Sequence, residues 1–362
     1  MANGLHDSLA VSLRLVIMGT GPFAVPMFEA LVQSRHQILT VVTRPDQTPP
    51  GRRPQTNPMR VAANAARIPV FDPVQVNDPH SVISIRALAP DLLVVCDYGQ
   101  ILSPELLSVA PRGGVNLHGS LLPRHRGASP VQWAILQGDC VSGVSVIHMT
   151  ASLDAGAVIV ARETPIGPRE TSPELEQRLS VIGAGAMLEA IDRLQSETSN
   201  APLSCDTVIA KRQDNSLATR APRLTKADGI VTWSLSAVHI ERLRRALEPW
   251  PRISTFLRQP GKAVPQRLVL EDVAVKDSSD VFLSDANANA NANANANANA
   301  NAGAGAGAGA GTILRADEAG LVVACGEGTV LVIRRLVPEG RRSMSAGEFL
   351  RGTPLCPGLV LG

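Results

Sequence analysis

Aromatic side chains are scarce in this chain: Phe, Trp and Tyr together make up 3% of 362 residues, with a single tyrosine. A core must therefore be built from Val, Leu, Ile and Ala, and a hydrophobic content of 44% is enough to bury one. Lysine is almost missing. Only Lys211, Lys226, Lys262 and Lys276 stand among 34 basic residues, so arginine carries the positive charge. A net charge of +2 neither demands nor excludes a nucleic-acid partner. The five cysteines (Cys96, Cys140, Cys205, Cys325, Cys356) form no Cys-x-x-Cys pair, which removes zinc-ribbon and thioredoxin-type readings. Free thiols in a reducing compartment are expected. No apolar run is long enough to cross a bilayer. The run at 11–18 is broken by Arg14 and leads into a glycine turn, as a first strand does and a signal peptide does not. A cytoplasmic protein with no membrane partner is expected.

Strands are expected at 13–18, 38–43, 92–96 and 115–117, with helices at 26–32, 59–67 and 81–88. Such alternation argues for an α/β fold, a Rossmann-like parallel sheet covered on both faces. Strands at 144–149 and 158–163 flank a loop carrying Asp154, and a long helix at 172–194 follows, with Ser172 as its cap. Residues 13–205 are read as the catalytic domain, and 206–225, where the pattern breaks up, as a linker. From 226 to 355 a smaller domain is expected, with a helix at 237–247 and short strands at 253–257, 267–275, 312–315, 320–325 and 329–336. Ser345 and Glu348 fit a capping box for a last helix. This spacing suggests an OB-like β-barrel. Residues 285–311 alternate Asn-Ala and then Gly-Ala. With no large apolar side chain they cannot repay the entropy of ordering, so a disordered loop is expected.

In parallel sheets ligands bind beyond the carboxyl ends of the strands. Asn116 and His118 sit at such an end, two residues apart, which on an extended chain puts both side chains on one face. An amide and an imidazole there are suited to hold the oxygen of a reacting carbonyl. By itself Asn-x-His reads more readily as a strand end whose polar groups satisfy a loop. The longer string Asn116-Leu-His118-Gly-Ser120-Leu121-Leu122-Pro123, with Arg126-Gly127 after it, resembles the central motif of the folate-dependent formyltransferase family. Leu153-Asp154-Ala155-Gly156 matches that family's later Leu-Asp-x-Gly segment. Distant stretches agree with the branch that acts on methionyl-tRNA. Residues 18–26 resemble Met-Gly-Thr-Pro-x-Phe-Ala-Val-Pro, with Gly21 in place of the first proline. Residues 97–102 resemble Ala-Tyr-Gly-Gln-Ile-Leu, with Asp97 in place of the alanine. Residues 221–226, 230–233, 249–251 and 342–345 continue the resemblance into the second domain.

The resemblance implies formyl transfer from 10-formyltetrahydrofolate, a co-substrate, to the α-amino group of charged initiator methionyl-tRNA, with no metal, by a monomer; the alternatives are a related enzyme acting on a sugar-nucleotide amine and a non-catalytic RNA-binding relative. Asn116, His118 and Asp154 are then the catalytic set. Tyr98, Gly99, Ser120, Leu121, Leu122 and Pro123 are expected to contact the folate. Arg52 and Arg53, on a Pro/Gly/Arg-rich loop at 44–58, are expected to contact tRNA. So are Arg244 and Arg245, within a stretch from Cys205 to Asp277 that holds 13 basic residues against 8 acidic. The family loop usually reads Gly-Arg-Gly-Lys-Lys where this chain has Gly51-Arg52-Arg53-Pro54-Gln55, so Arg52 is the better matched of the pair.

Overall fold

The computed structural model describes residues 12–46, 57–196, 210–259, 264–276 and 308–362. The chain divides into two units, the first formed mostly by residues up to Arg223 and the second mostly by residues from Leu224 onward.

The first unit is a seven-stranded sheet in the order β3-β2-β1-β4-β5-β6-β7. Its strands are β1 (Arg14–Gly19), β2 (Gln37–Val42), β3 (Val70–Phe71), β4 (Leu92–Cys96), β5 (Gly114–His118), β6 (Val141–His148) and β7 (Val158–Pro165). The first five run parallel. β6 alone is reversed: it pairs antiparallel with β5 and with β7, so the sheet is predominantly parallel, as expected. Only nine residues link β6 to β7, too few for a crossover, so these two form an antiparallel pair. Leu15, Val16, Ile17 and Met18 are all fully buried, so both faces of β1 are covered, as continuous apolar strands require.

The helices are α1 (Val25–Val32), α2 (Pro58–Ala65), α3 (Pro79–Ala87), α4 (Pro104–Leu107), α5 (Pro130–Gln137) and α6 (Ser172–Ser196). The side chains of Asn57, Asp78 and Ser103 accept first-turn N–H groups of α2, α3 and α4, each ahead of a proline that has no N–H to satisfy. Ser172 is the first residue of α6 and donates its hydroxyl to the Glu248 carbonyl (2.7 Å). Residues 210–223, expected as part of a linker, are instead docked on this unit. Lys211 exchanges both backbone hydrogen bonds with Val158 at 2.8 Å, and Ala221 N donates to Arg126 O at 2.7 Å.

The second unit opens with α7 (Ala237–Ala246) and contains β8 (Ser254–Leu257), β9 (Gln266–Lys276), β10 (Ile313–Asp317), β11 (Gly320–Ala324), β12 (Val330–Pro338), β13 (Met344–Ser345) and α8 (Ala346–Gly352). The strands form one antiparallel sheet in the order β10-β11-β12-β9-β8, with β13 paired to β12. Ser345 and Glu348 make the expected reciprocal capping box. The chain beyond 355 bridges the two edge strands. Gly358 N donates to Ile313 O (2.8 Å), and Gly362 N donates to Phe256 O (2.9 Å). Leu361 between them is 2% exposed, so the tail curls the sheet toward a small barrel and belongs to its core. The Asn/Ala/Gly segment falls largely outside the described residues. Its end does not: Gly311 N donates to Ala324 O (2.8 Å), so the ordered barrel begins before 312.

Candidate active site

β5 lies between β4, which pairs Val95 with Asn116, and β6, which pairs Ile147 with Asn116 and Ser145 with His118. Asn116 and His118 therefore share a face, at the carboxyl end of the strand. Asn116 is half-buried, and its side-chain amide has no hydrogen-bond partner among the described residues. The His118 side chain is 7% exposed. Its Nε2 lies 2.9 Å from the His125 carbonyl oxygen. A carbonyl only accepts, so Nε2 carries the hydrogen and donates it, leaving Nδ1 as the ring atom available to the cleft.

Asp154 Oδ2 lies 3.7 Å from His118 Nδ1, an electrostatic approach longer than a hydrogen bond. The same oxygen accepts from Gly127 N at 2.9 Å. The imidazole is thus oriented by His125 rather than by Asp154. His125 has a φ of +60°, which turns its carbonyl toward His118. Its own Nε2 donates to Asp139 Oδ2 at 2.7 Å, and Arg124 pairs with the other carboxylate oxygen at 2.6 Å. His125, Asp139 and Ser145 join the site without a sequence signal for these roles, which act on backbone and on other side chains. Ser145 pins the lip after β5, because its hydroxyl donates to Ser120 O (2.8 Å) and accepts from Leu122 N (3.1 Å).

Along that lip Leu121, Leu122 and Pro123 are partly exposed, whereas Ser120 is 1% exposed and donates to Arg124 O. Leu121 lies over Gly143 of β6, where a Cβ would come within 2.6 Å of Leu121 Cδ2. The expectation for Tyr98 and Gly99 concerns their backbone. The Tyr98 ring is 2% exposed and packs with Val76, Leu102 and Leu106, and burial pushes its hydroxyl up to about 12. Only its backbone can face a ligand, because β4 ends by turning the ring into the core. Gly99 is exposed with φ +80°, beside the Arg44 side chain.

Gly21 and Asp97 meet. A Cβ at Gly21 would stand 1.8 Å from Asp97 Oδ2. The Asp97 residue is exposed by area, yet its carboxylate is folded against the first turn. That burial, with the like charge of Glu176, pushes the carboxyl up to about 6. The two departures from the family strings noted above therefore share one cause.

The expected tRNA contacts divide. Arg52 and Arg53 lie outside the described residues. Arg245 is corrected: it is 7% exposed, and its guanidinium is committed to Glu241 (2.9 Å) and to the Glu170 carbonyl (3.0 Å). The i,i+4 spacing lays it along the buried side of α7, where a phosphate cannot reach it. Arg244 is largely covered, with its Nη2 4.0 Å from Glu241. Among the described residues no helix is long and apolar enough to cross a membrane.

Residues 13–191 match the family model described as formyl transferase, and residues 223–354 match that described as formyl transferase, C-terminal domain. A methionyl-tRNA formyltransferase of Rhodopirellula baltica is 41% identical over 360 residues, 98% of each chain. One of Geobacter sulfurreducens is 38% identical over 352 residues, 97% of each chain. Among solved structures, an N-formyltransferase from Helicobacter canadensis, in complex with folinic acid and dTDP-3-aminofucose, shares the fold with a TM-score of 0.55 at 14% identity. That likeness covers 89% of this chain and 98% of the other. With both domain models matched in order and relatives of this identity along almost its whole length, the chain belongs to the formyl transferase family.

Proposed function

We propose that this protein transfers the formyl group of 10-formyltetrahydrofolate to the α-amino group of methionyl-tRNA. The observation that carries the chemistry is the Asn116 amide, without a hydrogen-bond partner among the described residues, beside His118 on one face of a strand end with Asp154 opposite. The acceptor amine attacks the formyl carbon through its lone pair, and the carbonyl electrons move onto oxygen. Asn116 donates to that oxygen as charge develops there, and His118, whose Nδ1 carries the free lone pair, accepts the proton that leaves the amine. The carbon–N10 bond then breaks, N10 of the folate takes a proton, and the amine nitrogen loses one, giving formyl-amide and tetrahydrofolate. Asp154, with one oxygen held by Gly127, lies 3.7 Å from His118 Nδ1, beside the path that proton takes. The partly exposed lip at Leu121, Leu122 and Pro123, with the backbone of Tyr98 and Gly99, is assigned to the folate.

The acceptor assignment is supported by near-full-length relatives named for methionyl-tRNA. It is tested by offering labelled formyl donor with charged initiator tRNA, an amino sugar nucleotide and a small ribonucleotide amine in one mixture. Label is expected on the tRNA alone, and Asn116→Ala is expected to slow its transfer about 100-fold or more. Label on the sugar nucleotide would replace the acceptor but leave the chemistry in place.

A further inference from the structure

Residues 210–223 reach the loops around the reaction centre through several side chains: Thr219 Oγ1 accepts from His125 N (2.8 Å), Asn215 Oδ1 accepts from Arg126 Nη2 (2.8 Å), and Gln213 is the one that holds Asp154. Gln213 Nε2 lies 2.8 Å from the carbonyl oxygen of Asp154 and 2.7 Å from that of Gly156. Gln213 Oε1 lies 3.1 Å from Arg126 Nε and 2.7 Å from Arg126 Nη2. Only one amide orientation is compatible with these partners: two carbonyls need donors and a guanidinium needs an acceptor. Arg126 precedes Gly127, whose N–H donates to Asp154 Oδ2 at 2.9 Å. Asp154 is therefore held at both ends, its carboxylate by Gly127 and its carbonyl by Gln213, and the two holders are tied together through Arg126.

Such holding is needed. Asp154 has a φ of +49°, a conformation that L residues keep only where neighbours enforce it. Its side chain must stay opposite His118 Nδ1, and a shift of about 1 Å at such a group costs on the order of 100-fold in rate. The flanks of Gln213 are fixed independently, by Lys211 on Val158 and by Arg126 N donating to Thr219 O at 2.9 Å.

We infer that Gln213 is a positioning residue for formyl transfer, setting the Asp154 loop against His118. This inference rests on the assignment of Asp154 to the reaction centre. Gln213→Glu keeps the volume and the acceptor for Arg126, and replaces the two donors with oxygen that opposes the Asp154 and Gly156 carbonyls. A residue that only fastened the segment to Arg126 would tolerate that change.

The experiment is a cycle of parent, Gln213→Glu, Asp154→Asn and the double variant, with kcat, KM for the formyl donor and thermal midpoint measured on each. Gln213→Glu is expected to lower kcat about tenfold or more with KM for the donor within about twofold. In the Asp154→Asn background the same change is expected to cost less than about twofold, because its effect passes through Asp154. A parent-like kcat in Gln213→Glu, or full additivity with Asp154→Asn, overturns the inference. A parent-like kcat in Asp154→Asn alone overturns the site assignment instead, so the two failures are distinct. If Gln213→Glu loses more than about 5 °C in midpoint, Gln213→Met takes its place in the cycle. Unfolding of both variants overturns the inference by making the residue structural.

Discussion

Gly21 and Asp97 occupy one space from two strand ends, and that makes each intelligible only through the other. The family strings place proline and alanine at these positions, a pair that packs without a carboxylate between them. Here Asp97 leans over the first turn, and no Cβ fits at position 21. The Gly21 backbone, with φ −84°, suits the proline ring, and the one contact a proline would give up there is the long Gly21 N–H donation to Asp97 O (3.4 Å). Gly21→Pro alone is therefore expected to destabilise by about 1–3 kcal/mol through overpacking. Combined with Asp97→Ala it is expected to cost less than about 0.5 kcal/mol beyond Asp97→Ala itself. Thermal midpoints of the four proteins decide the matter, and a Gly21→Pro variant as stable as its parent would remove the packing explanation.

The strand β6 shows how an element divides labour between its faces, and how much of that division a sequence carries. Ser145 faces the site side with His118 and holds the lip, while His148, three residues on, points to the opposite face. On that face α6 closes so tightly at Leu117 that a Cβ at Gly183 would come within 2.7 Å of it. His148 is 4% exposed, its Nε2 has no partner among the described residues, and burial pushes its pKa down to about 4 from 6.5. The folded state thus keeps it neutral where the unfolded chain takes up a proton. Stability is whole above pH 6.5 and is lost as pH falls from there toward 4, by about 3 kcal/mol in all. Urea midpoints across that range are expected to fall in the parent and to fall less in His148→Leu; equal slopes would show that the group is solvated. β1, β2, β4 and β5 were legible because β-branched and apolar runs ended at glycine or polar residues, and the period of two put Asn116 and His118 together. β3, with two residues, and α4, with four, are too short to carry a period. Gln213 and His125 left no trace in the sequence because they work on or through backbone carbonyls of distant residues, and a carbonyl has no identity to read.

At the scale of the whole molecule the acceptor poses an electrostatic problem, because a net charge of +2 spread evenly would give a tRNA little reason to bind. The charge is not even: 13 basic residues face 8 acidic ones between Cys205 and Asp277. The structure narrows which of these are free for phosphate. Arg245 is committed to Glu241 and Arg252 pairs with Glu271, so the local excess must be expressed through other positions. Arg220, Arg223 and Lys226 are exposed along the chain that passes from the first unit to the second. Each phosphate neutralised releases counterions and contributes roughly −0.7 to −0.9 to the slope of log affinity against log salt. If about three phosphates are engaged, raising salt from ~50 to ~200 mM is expected to weaken binding of charged tRNA by about tenfold or more. The KM for the formyl donor, which carries no phosphate, is expected to move far less over the same interval. Replacing Arg220 and Arg223 by Gln should flatten the tRNA slope by about 1 to 2 while leaving turnover at saturating tRNA intact. An unchanged slope would move the phosphate contacts away from Arg220 and Arg223 and toward Arg52 and Arg53.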